Sequence, residues 1–282
     1  MSSADRKYIV TGRKRVEGWF SRIDAEIFYS ITALQNAAAW DGGVVEIGLH
    51  HGKSFIALCL ALKAGQRAYG VDIFENQDLN VDRSGSGNRA IVDRNLTRAG
   101  IDTSSVVLDG RSSEQVAPED ILRSVGRVRF FSIDGGHWAD IVRHDLRLAE
   151  QTIAVHGVVA LDDFLRPEWP EVSAGYFAWV AARSQPIVPF AIGFNKLYLC
   201  DAAYAARYQQ ALSASGFLNA FISKRYDFGG VDIPIYQAAP LPEWRWKTRL
   251  THHLRLFHPE LYVRLKSVQS SLFRAAHRLR EP

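Results

Sequence analysis

Residues 44–54, VVEIGLHHGKS, decide the fold of this chain. A β-branched run ends at the acid Glu46, and Gly48 and Gly52 then bracket three residues before an apolar helical pattern begins. Val and Ile favour a buried strand, and glycine permits the tight turn that leads into a helix N-terminus. A strand–turn–helix unit of this kind brings backbone amides against a nucleotide-like ligand.

Strands and helices are predicted to alternate along most of the chain. Apolar runs predict strands at 43–48, 67–72, 105–109, 128–134, 157–161, 187–192 and 196–200, and 217–237 is β-like. Helical periodicity predicts helices at 22–39, 52–64, 88–99, 112–124, 138–153, 171–184 and 202–214. Unbroken apolar strands alternating with helices favour a parallel sheet covered on both faces, and the short link at 193–195 favours a hairpin. We therefore predict an α/β fold: a Rossmann-like, doubly wound seven-stranded sheet, mostly parallel with an antiparallel C-terminal hairpin, plus a helical tail.

Composition limits the class of protein. The chain has 282 residues, of which 47% are hydrophobic, so it can bury a full core. Cys59 and Cys200 lie in apolar runs without metal-type spacing, which favours a reducing compartment. The first 15 residues are polar and basic, and no apolar stretch is long enough to span a bilayer. We expect a cytoplasmic protein.

The C-terminal segment differs from the rest of the chain. From Trp244 to Pro282 there are nine Lys and Arg residues against two Glu, and Pro240 and Pro242 mark a boundary. We therefore divide the chain into an N-terminal helical segment (1–40), a central domain (41–240) and a basic amphipathic helical tail (241–282). Such a tail suits peripheral contact with the inner membrane surface, and it equally suits packing on the body or in a homo-oligomer. No nucleic-acid partner is expected, because no recognised binding module is present.

Acids end the first two strands. Glu46 closes a buried strand and needs a partner, which a cationic ligand would provide. Asp72 follows Gly52 by about 20 residues, where an acid accepts hydrogen bonds from ribose hydroxyls. The G-x-x-x-G spacing differs from the G-x-G-x-x-G of dinucleotide enzymes, which disfavours an NAD-dependent dehydrogenase. A purely structural strand–helix turn is the alternative.

Three more acids follow later strands. Asp134 ends the fourth predicted strand, and Asp162 and Asp163 follow the fifth. Parallel strands would bring all three carboxylates to one sheet edge, where they repel unless a cation intervenes. Oxygen ligands suit Mg²⁺, so we predict a metal site of Asp134, Asp162 and Asp163. Helix caps and loop contacts are the alternative for these acids.

Two motifs carry a family resemblance. Residues 131–137, FSIDGGH, and 158–164, VVALDDF, resemble the class I S-adenosylmethionine-dependent methyltransferases of the I-D-G-x-H subgroup, and the chain is similar to macrocin-type sugar O-methyltransferases over about residues 43–200. In that family the matching acids hold a divalent ion. The resemblance implies S-adenosylmethionine as cofactor, with Asp72 at the ribose and Asp109 at the adenine. We expect the cofactor site to comprise Glu46, Gly48, His50, Gly52, Ser54, Asp72, Asp109, Gly110, Ser112 and Asp134.

The expected reaction is O-methylation of a sugar or glycoside hydroxyl on a small-molecule or glycan acceptor. A metal would lower the pKa of that hydroxyl, and His137, beside Asp134, is the candidate general base. The antibiotic-sugar enzymes carry an acid where this chain has Gly136. The alternatives are a metal-independent small-molecule N- or O-methyltransferase and a non-catalytic membrane-docking partner.

Side chains around the acceptor are predicted less specifically. Trp138, Trp169 and Tyr176 are candidate walls for a sugar, with ordinary packing as the alternative. Lys196 on the predicted hairpin either faces substrate or is solvated. The loop at 76–88 is either a lid over the cofactor or an ordinary surface loop.

Overall fold

The structure, a computed structural model, describes residues 3–80 and 83–237 together with positions 254, 258 and 261. The chain divides into two compact units, Met1–Ala238 and Ala239–Pro282. The described α-helices are α1 (Ser3–Val10), α2 (Arg22–Ala37), α3 (Phe55–Leu60), α4 (Arg89–Arg98), α5 (Pro118–Val125), α6 (Ala139–Thr152), α7 (Pro170–Ala182), α8 (Ala202–Ser213) and α9 (Gly216–Asn219). The strands are β1 (Gly43–Ile47), β2 (Ala68–Val71), β3 (Val106–Asp109), β4 (Val128–Ile133), β5 (Ile153–Leu161), β6 (Ile187–Ile192), β7 (Leu197–Asp201), β8 (Ile222–Phe228) and β9 (Val231–Tyr236).

The strands lie in one sheet in the order β3-β2-β1-β4-β5-β7-β6-β9-β8. Strands β1 to β5 are parallel, whereas β7 is antiparallel to both β5 and β6. The chain moves outward from β1 in both directions, to β2 on one side and to β4 on the other. The ends of β1 and β4 therefore flank the topological switch point, where open α/β sheets bind ligands.

Helices cover both faces of the sheet. Val44 of β1 belongs to a core shared with α1 to α4 and α8, and its neighbour Val45 belongs to a second core shared with α5, α6 and α7. Successive strand residues point to opposite faces, so β1 is buried on both sides. The predicted doubly wound α/β fold with an antiparallel C-terminal hairpin is confirmed.

The predicted number of seven strands is wrong, because the described residues form nine. The β-like stretch at 217–237 folds into the β8–β9 hairpin, whose turn contains Gly229 and Gly230, both with positive φ. The β9 strand joins the sheet beside β6 through the pair Ile192 and Ile235. Most β8 residues are exposed, and an exposed edge strand lacks the apolar pattern that marks a buried one.

The predicted N-terminal segment, residues 1–40, contains α1 and α2, whose Ile9 and Phe28 are buried in the first core. The predicted tail at 241–282 lies outside the described residues apart from positions 254, 258 and 261. Its membrane contact and its part in a homo-oligomer stay predictions. Within the described part of the chain, no helix combines the length and hydropathy of a membrane span.

A buried carboxylate holds the ends of α6 and α7 together. Glu150 accepts hydrogen bonds from the Trp179 indole at 2.8 Å, from the Ser184 amide and hydroxyl at 2.8 Å each, and from the Gln185 amide at 3.0 Å. Burial alone would raise the pKa of Glu150, but these hydrogen bonds lower it below its usual value. The ionised form therefore stabilises the fold.

We expect Glu150→Gln to lower the free energy of unfolding by about 1–2 kcal/mol at pH 7, because a charged acceptor is lost. The folded pKa lies below the unfolded one, so this stabilisation is present above the usual pKa of Glu, about 4.5, and is lost as pH falls through the folded pKa. Urea unfolding of wild type and variant at pH 7 and pH 3 measures the difference. A difference in the free energy of unfolding between wild type and variant that is the same at pH 7 and pH 3 would contradict the role of ionisation.

Candidate functional site

A cavity of about 710 Å³ lies at the carboxyl ends of β1, β2, β4 and β5. This volume is in the range of small-molecule sites. Of the predicted site residues, eight line it: Gly48, His50, Asp72, Ser112, Asp134, His137, Asp162 and Asp163. The other five do not: Glu46, Gly52, Ser54, Asp109 and Gly110.

Gly48 is required where two strands end side by side. Its φ is +81°, and a Cβ there would overlap the backbone carbonyl oxygen of Asp134. The Asp134 amide in turn donates to the carbonyl of Ile47 at 2.8 Å. The missing side chain thus lets the ends of β1 and β4 meet, which brings Asp134 beside the glycine turn.

Asp72 joins the ends of β1 and β2. Its Oδ2 accepts hydrogen bonds from the amides of Leu49 (2.7 Å) and His50 (2.8 Å), and its Oδ1 accepts from the Phe74 amide at 2.6 Å. One carboxylate therefore orders the glycine turn and the start of the following loop. It also lines the cavity, and these three amides leave one of its roughly four lone-pair sites unused.

Glu46 does not reach the cavity, contrary to expectation. Alternation along β1 turns Ile47 toward the cavity and Glu46 toward the opposite face of the sheet. There Ser132 donates to Oε1 at 2.9 Å, and Oε2 is buried without a hydrogen-bond partner among the described residues. Burial raises the pKa of Glu46 to about 7, against the lowering effect of Lys196 and of the Ser54 and Ser132 hydroxyls.

The residues after β3 are placed differently from the prediction. Asp109 accepts hydrogen bonds from the Tyr69 hydroxyl and from the Arg111 guanidinium, whose Nε lies 3.0 Å from Oδ1. These contacts keep the Asp109 carboxylate out of the cavity wall, and Arg111 and Ser112 line the wall instead. Arg111 was not singled out from the sequence, because one arginine after a strand carries no distinctive pattern.

His137 is held by contacts on both ring nitrogens and on one face. Its Nε2 lies 3.1 Å from Asp163 Oδ2, and its Nδ1 lies 3.4 Å from the Ser84 hydroxyl. The Trp169 ring stacks on the imidazole, with centroids 4.2 Å apart and planes 14° apart. Asn195 donates to Asp163 Oδ1 at 3.0 Å, which fixes the carboxylate that faces the imidazole. The arrangement is that of an oriented proton acceptor.

Asp162 is engaged by a buried lysine. Lys196 is 1% exposed, its ammonium pairs with Asp162 Oδ2, and it lies 3.5 Å from Asp134 Oδ2. Burial would lower the pKa of Lys196, but Asp162 and Asp134 raise it, so the ammonium is charged. Burial and the neighbouring Asp162 raise the pKa of Asp134. The sequence interpretation of Lys196 as substrate-facing or solvated was therefore wrong.

The three side chains whose donor atoms lie close enough together to hold a metal ion differ from the predicted three by one residue. Asp134, His137 and Asp163 each offer one donor atom, and these atoms lie within 4.8 Å of one another. Asp162 is not in this group; Lys196 holds its Oδ2, and the Asp163 amide donates to its Oδ1 at 2.9 Å. Carboxylate oxygens with an imidazole nitrogen fit a divalent cation, so the described residues fit a metal with His137 in the place predicted for Asp162.

Of the aromatic candidates, only Trp169 lines the cavity. Trp138 is 47% exposed outside it, and Tyr176 is buried in the second core. The exposed rings of Trp19 and Phe194 line the cavity as well. Sequence reasoning missed both, because each lies in a loop without periodicity.

The loop before α4 lies over the cavity. Ser84 and Gly85 line it beside Trp19, and a Cβ at Gly87 would crowd the Asp72 carboxylate. The Asn88 amide donates to the His50 carbonyl at 3.3 Å. The described part of the predicted lid therefore contacts the glycine turn.

Comparison with known proteins supports an enzyme. Residues 45–164 match the family model described as a methyltransferase domain. The matched segment contains most of β1, the glycine turn, Asp72, the Asp134–His137 segment and the Asp162–Asp163 pair. It therefore supplies most of the cavity lining, whereas Trp19, Trp169 and Asn195 line the cavity from outside it. No curated protein matches the chain.

Solved methyltransferase structures are similar to this chain. The O-methyltransferase NovP is 14% identical, over 65% of this chain and 83% of that one, with a TM-score of 0.54. An O-methyltransferase from Bacillus cereus in complex with SAH is 15% identical over 71% and 90%, with a TM-score of 0.47. CalS11, a calicheamicin methyltransferase, is 14% identical over 63% and 79%, with a TM-score of 0.46. At such identities the similarity concerns the fold alone.

Proposed function

We propose that this protein transfers a methyl group from S-adenosylmethionine to a hydroxyl of a sugar or glycoside, with the assistance of a divalent cation. The observation that carries the proposal is a single cavity with Gly48 and Asp72 on one wall and Asp134, His137 and Asp163 on another. The match to a methyltransferase domain supports the transferred group, and the similarity to NovP, titled an O-methyltransferase, supports oxygen as acceptor.

The cofactor takes the side of the cavity formed by β1 and β2. Asp72 accepts a ribose hydroxyl with the lone pair that the backbone amides of Leu49, His50 and Phe74 leave. The turn at Gly48 places backbone close to the amino-acid end of the cofactor. Arg111 and Ser112 follow β3 and line the cavity, where we place the adenine of the cofactor.

The acceptor takes the opposite side. Asp134 and Asp163 hold the cation, with the imidazole of His137 beside them. A bound divalent cation lowers the pKa of a coordinated hydroxyl and orients its oxygen. The Trp169 ring at this side suits the C–H face of a sugar.

His137 is the proposed general base. The acceptor oxygen forms a bond to the methyl carbon, the sulfur–carbon bond breaks, and its electron pair stays on sulfur. The hydroxyl proton moves to an imidazole nitrogen of His137, whose other nitrogen Asp163 holds at 3.1 Å. Trp169, stacked on the imidazole, fixes the plane in which the proton is accepted.

Removal of the cation is expected to lower turnover about tenfold or more, because the acceptor hydroxyl loses its Lewis acid. Enzyme treated with EDTA and desalted is assayed on a hydroxylated glycoside panel by S-adenosylhomocysteine release, and Mg²⁺ or Mn²⁺ is then restored. Enzyme exposed to EDTA already saturated with Mg²⁺ serves as the control. Undiminished turnover after complete chelation would reject the cation.

A metal-independent N- or O-methyltransferase acting on a small metabolite is the second candidate. One observation favours it: the charged ammonium of Lys196 lies beside Asp134 and Asp162 and supplies part of the positive charge that a cation would provide. On this alternative the aspartates accept hydrogen bonds from the acceptor, and the same chelation experiment leaves turnover unchanged.

A further inference from the structure

The turn between β6 and β7, residues 193–196, contacts both members of the Asp162–Asp163 pair. Asn195 reaches Asp163, and Lys196 reaches Asp162. The two aspartates are adjacent in sequence, and their carboxylates have different partners. One short turn thus meets two carboxylates that face different surroundings.

Lys196 and Asp162 form an ion pair inside the protein. The lysine is 1% exposed and the aspartate 5%, so their ion pair is shielded from solvent. The second oxygen of Asp162 accepts the Asp163 amide at 2.9 Å. Both oxygens are therefore engaged. A buried pair of this kind is costly to break, because the remaining charge loses its partner.

Asn195 contacts Asp163, the second aspartate of the pair. Its Nδ2 donates to Asp163 Oδ1 at 3.0 Å, which leaves Oδ2 for His137 at 3.1 Å. The Asn195 carbonyl also accepts the Phe164 amide at 3.2 Å, a backbone contact that a side-chain substitution preserves. The amide side chain thus aims the carboxylate at the imidazole.

The turn is itself anchored. Asp24 of α2 is fully buried and accepts the Phe194 amide at 3.2 Å and the Tyr198 hydroxyl at 2.8 Å. A Cβ at Gly193 would overlap the Asp24 carboxylate. Asn195 and Lys196 are therefore presented by a segment that α2 holds in place.

We infer that Lys196 and Asn195 are positioning residues that give the adjacent Asp162 and Asp163 different roles. Lys196 engages the Asp162 carboxylate at the cavity wall in place of a cation, and Asn195 directs Asp163 to His137. The inference rests on the proposed function, and its test has one readout that needs no cation.

The double variant Asp162→Asn/Lys196→Met tests the first half, because it removes both charges and leaves neither buried alone. We expect its Kd for Mn²⁺, measured by titration calorimetry, to stay within about threefold of wild type, because the paired substitutions leave the net charge beside Asp134 unchanged. Asp163→Asn should raise that Kd about tenfold or more. Lys224→Met, at an exposed lysine of β8, is the matched control. A double variant that loses as much affinity as Asp163→Asn would make Asp162 a ligand and overturn the inference.

The imidazole resonances of His137 test the second half without a cation. In the S-adenosylhomocysteine complex of ¹⁵N-histidine-labelled protein, Asn195→Ala and Asp163→Asn should shift these resonances, whereas Asp162→Asn/Lys196→Met and Asn219→Ala, at an exposed asparagine of α9, should not. Asn195→Ala should also lower kcat about tenfold at unchanged KM for S-adenosylmethionine, because a hydrogen bond to a charged group is lost. Unmoved resonances in Asn195→Ala would overturn the directing role. Wild-type protein that binds no Mn²⁺ would reject the cation of the proposed function. The His137 resonances would still test whether Asn195 directs Asp163 to His137.

Discussion

Replacing His137 by alanine is expected to lower kcat by about 10²–10⁴-fold, the usual contribution of a positioned general base. The imidazole is the group in the cavity wall that Asp163 and Trp169 orient together. Without it, the hydroxyl proton has no oriented acceptor at the acceptor side. The Kd for S-adenosylhomocysteine should stay near that of wild type, since the cofactor contacts proposed for Asp72 lie on the other wall.

Titration with Mn²⁺ separates the two roles open to His137. If it is the base, His137→Ala keeps the Kd for Mn²⁺ and loses kcat; if it is a ligand, both change. His156→Ala is the matched control, because His156 near the start of β5 bonds to the Asp41 carbonyl at 2.9 Å and does not line this cavity. A His137→Ala enzyme with near-wild-type kcat would remove the base assignment.

Replacing Asp72 by asparagine is expected to raise the Kd for S-adenosylhomocysteine about 10²-fold or more, because hydrogen bonds to a charged acceptor are each worth about 1.5–3 kcal/mol. The carboxylate orders both cofactor loops through the amides of Leu49, His50 and Phe74. An amide nitrogen at either position would face a backbone donor. Both the ribose contact and the shape of the glycine turn should therefore suffer.

Calorimetric titration with S-adenosylhomocysteine measures this effect, and far-ultraviolet circular dichroism checks that the variant is folded. Asp78→Asn, at an exposed aspartate six residues later, is the control. Binding by folded Asp72→Asn within about threefold of wild type would contradict the role of the carboxylate. It would also move the cofactor away from the β1–β2 side of the cavity.

Much of the fold could be predicted because its signals are local. Apolar runs located β1 to β7, and helical periodicity located α2 and α6 to within two residues. The parallel order followed from alternation of strand and helix. The β8–β9 hairpin escaped because its first strand is exposed at the sheet edge, where polar residues are tolerated.

The site could be predicted only in outline. The acids that end β2, β4 and β5 do line one cavity, because parallel strands place their carboxyl ends along one edge. Which of them remain open to a ligand depends on partners distant in sequence. Lys196 lies 34 residues after Asp162, and its ion pair with that aspartate could not be read from either segment alone.

The sequence by itself determined the strand–turn–helix unit, the parallel sheet and the set of acids at its edge, since these depend on neighbours a few residues apart. Only the tertiary structure decided that Glu46 faces the far side of the sheet, that Lys196 holds Asp162, and that Asp134, Asp163 and His137 form one group. These outcomes depend on which side chains meet across separate strands. Burial strengthens this dependence, because a charged group that is removed from water needs a partner, and only the tertiary structure determines which groups lie beside it.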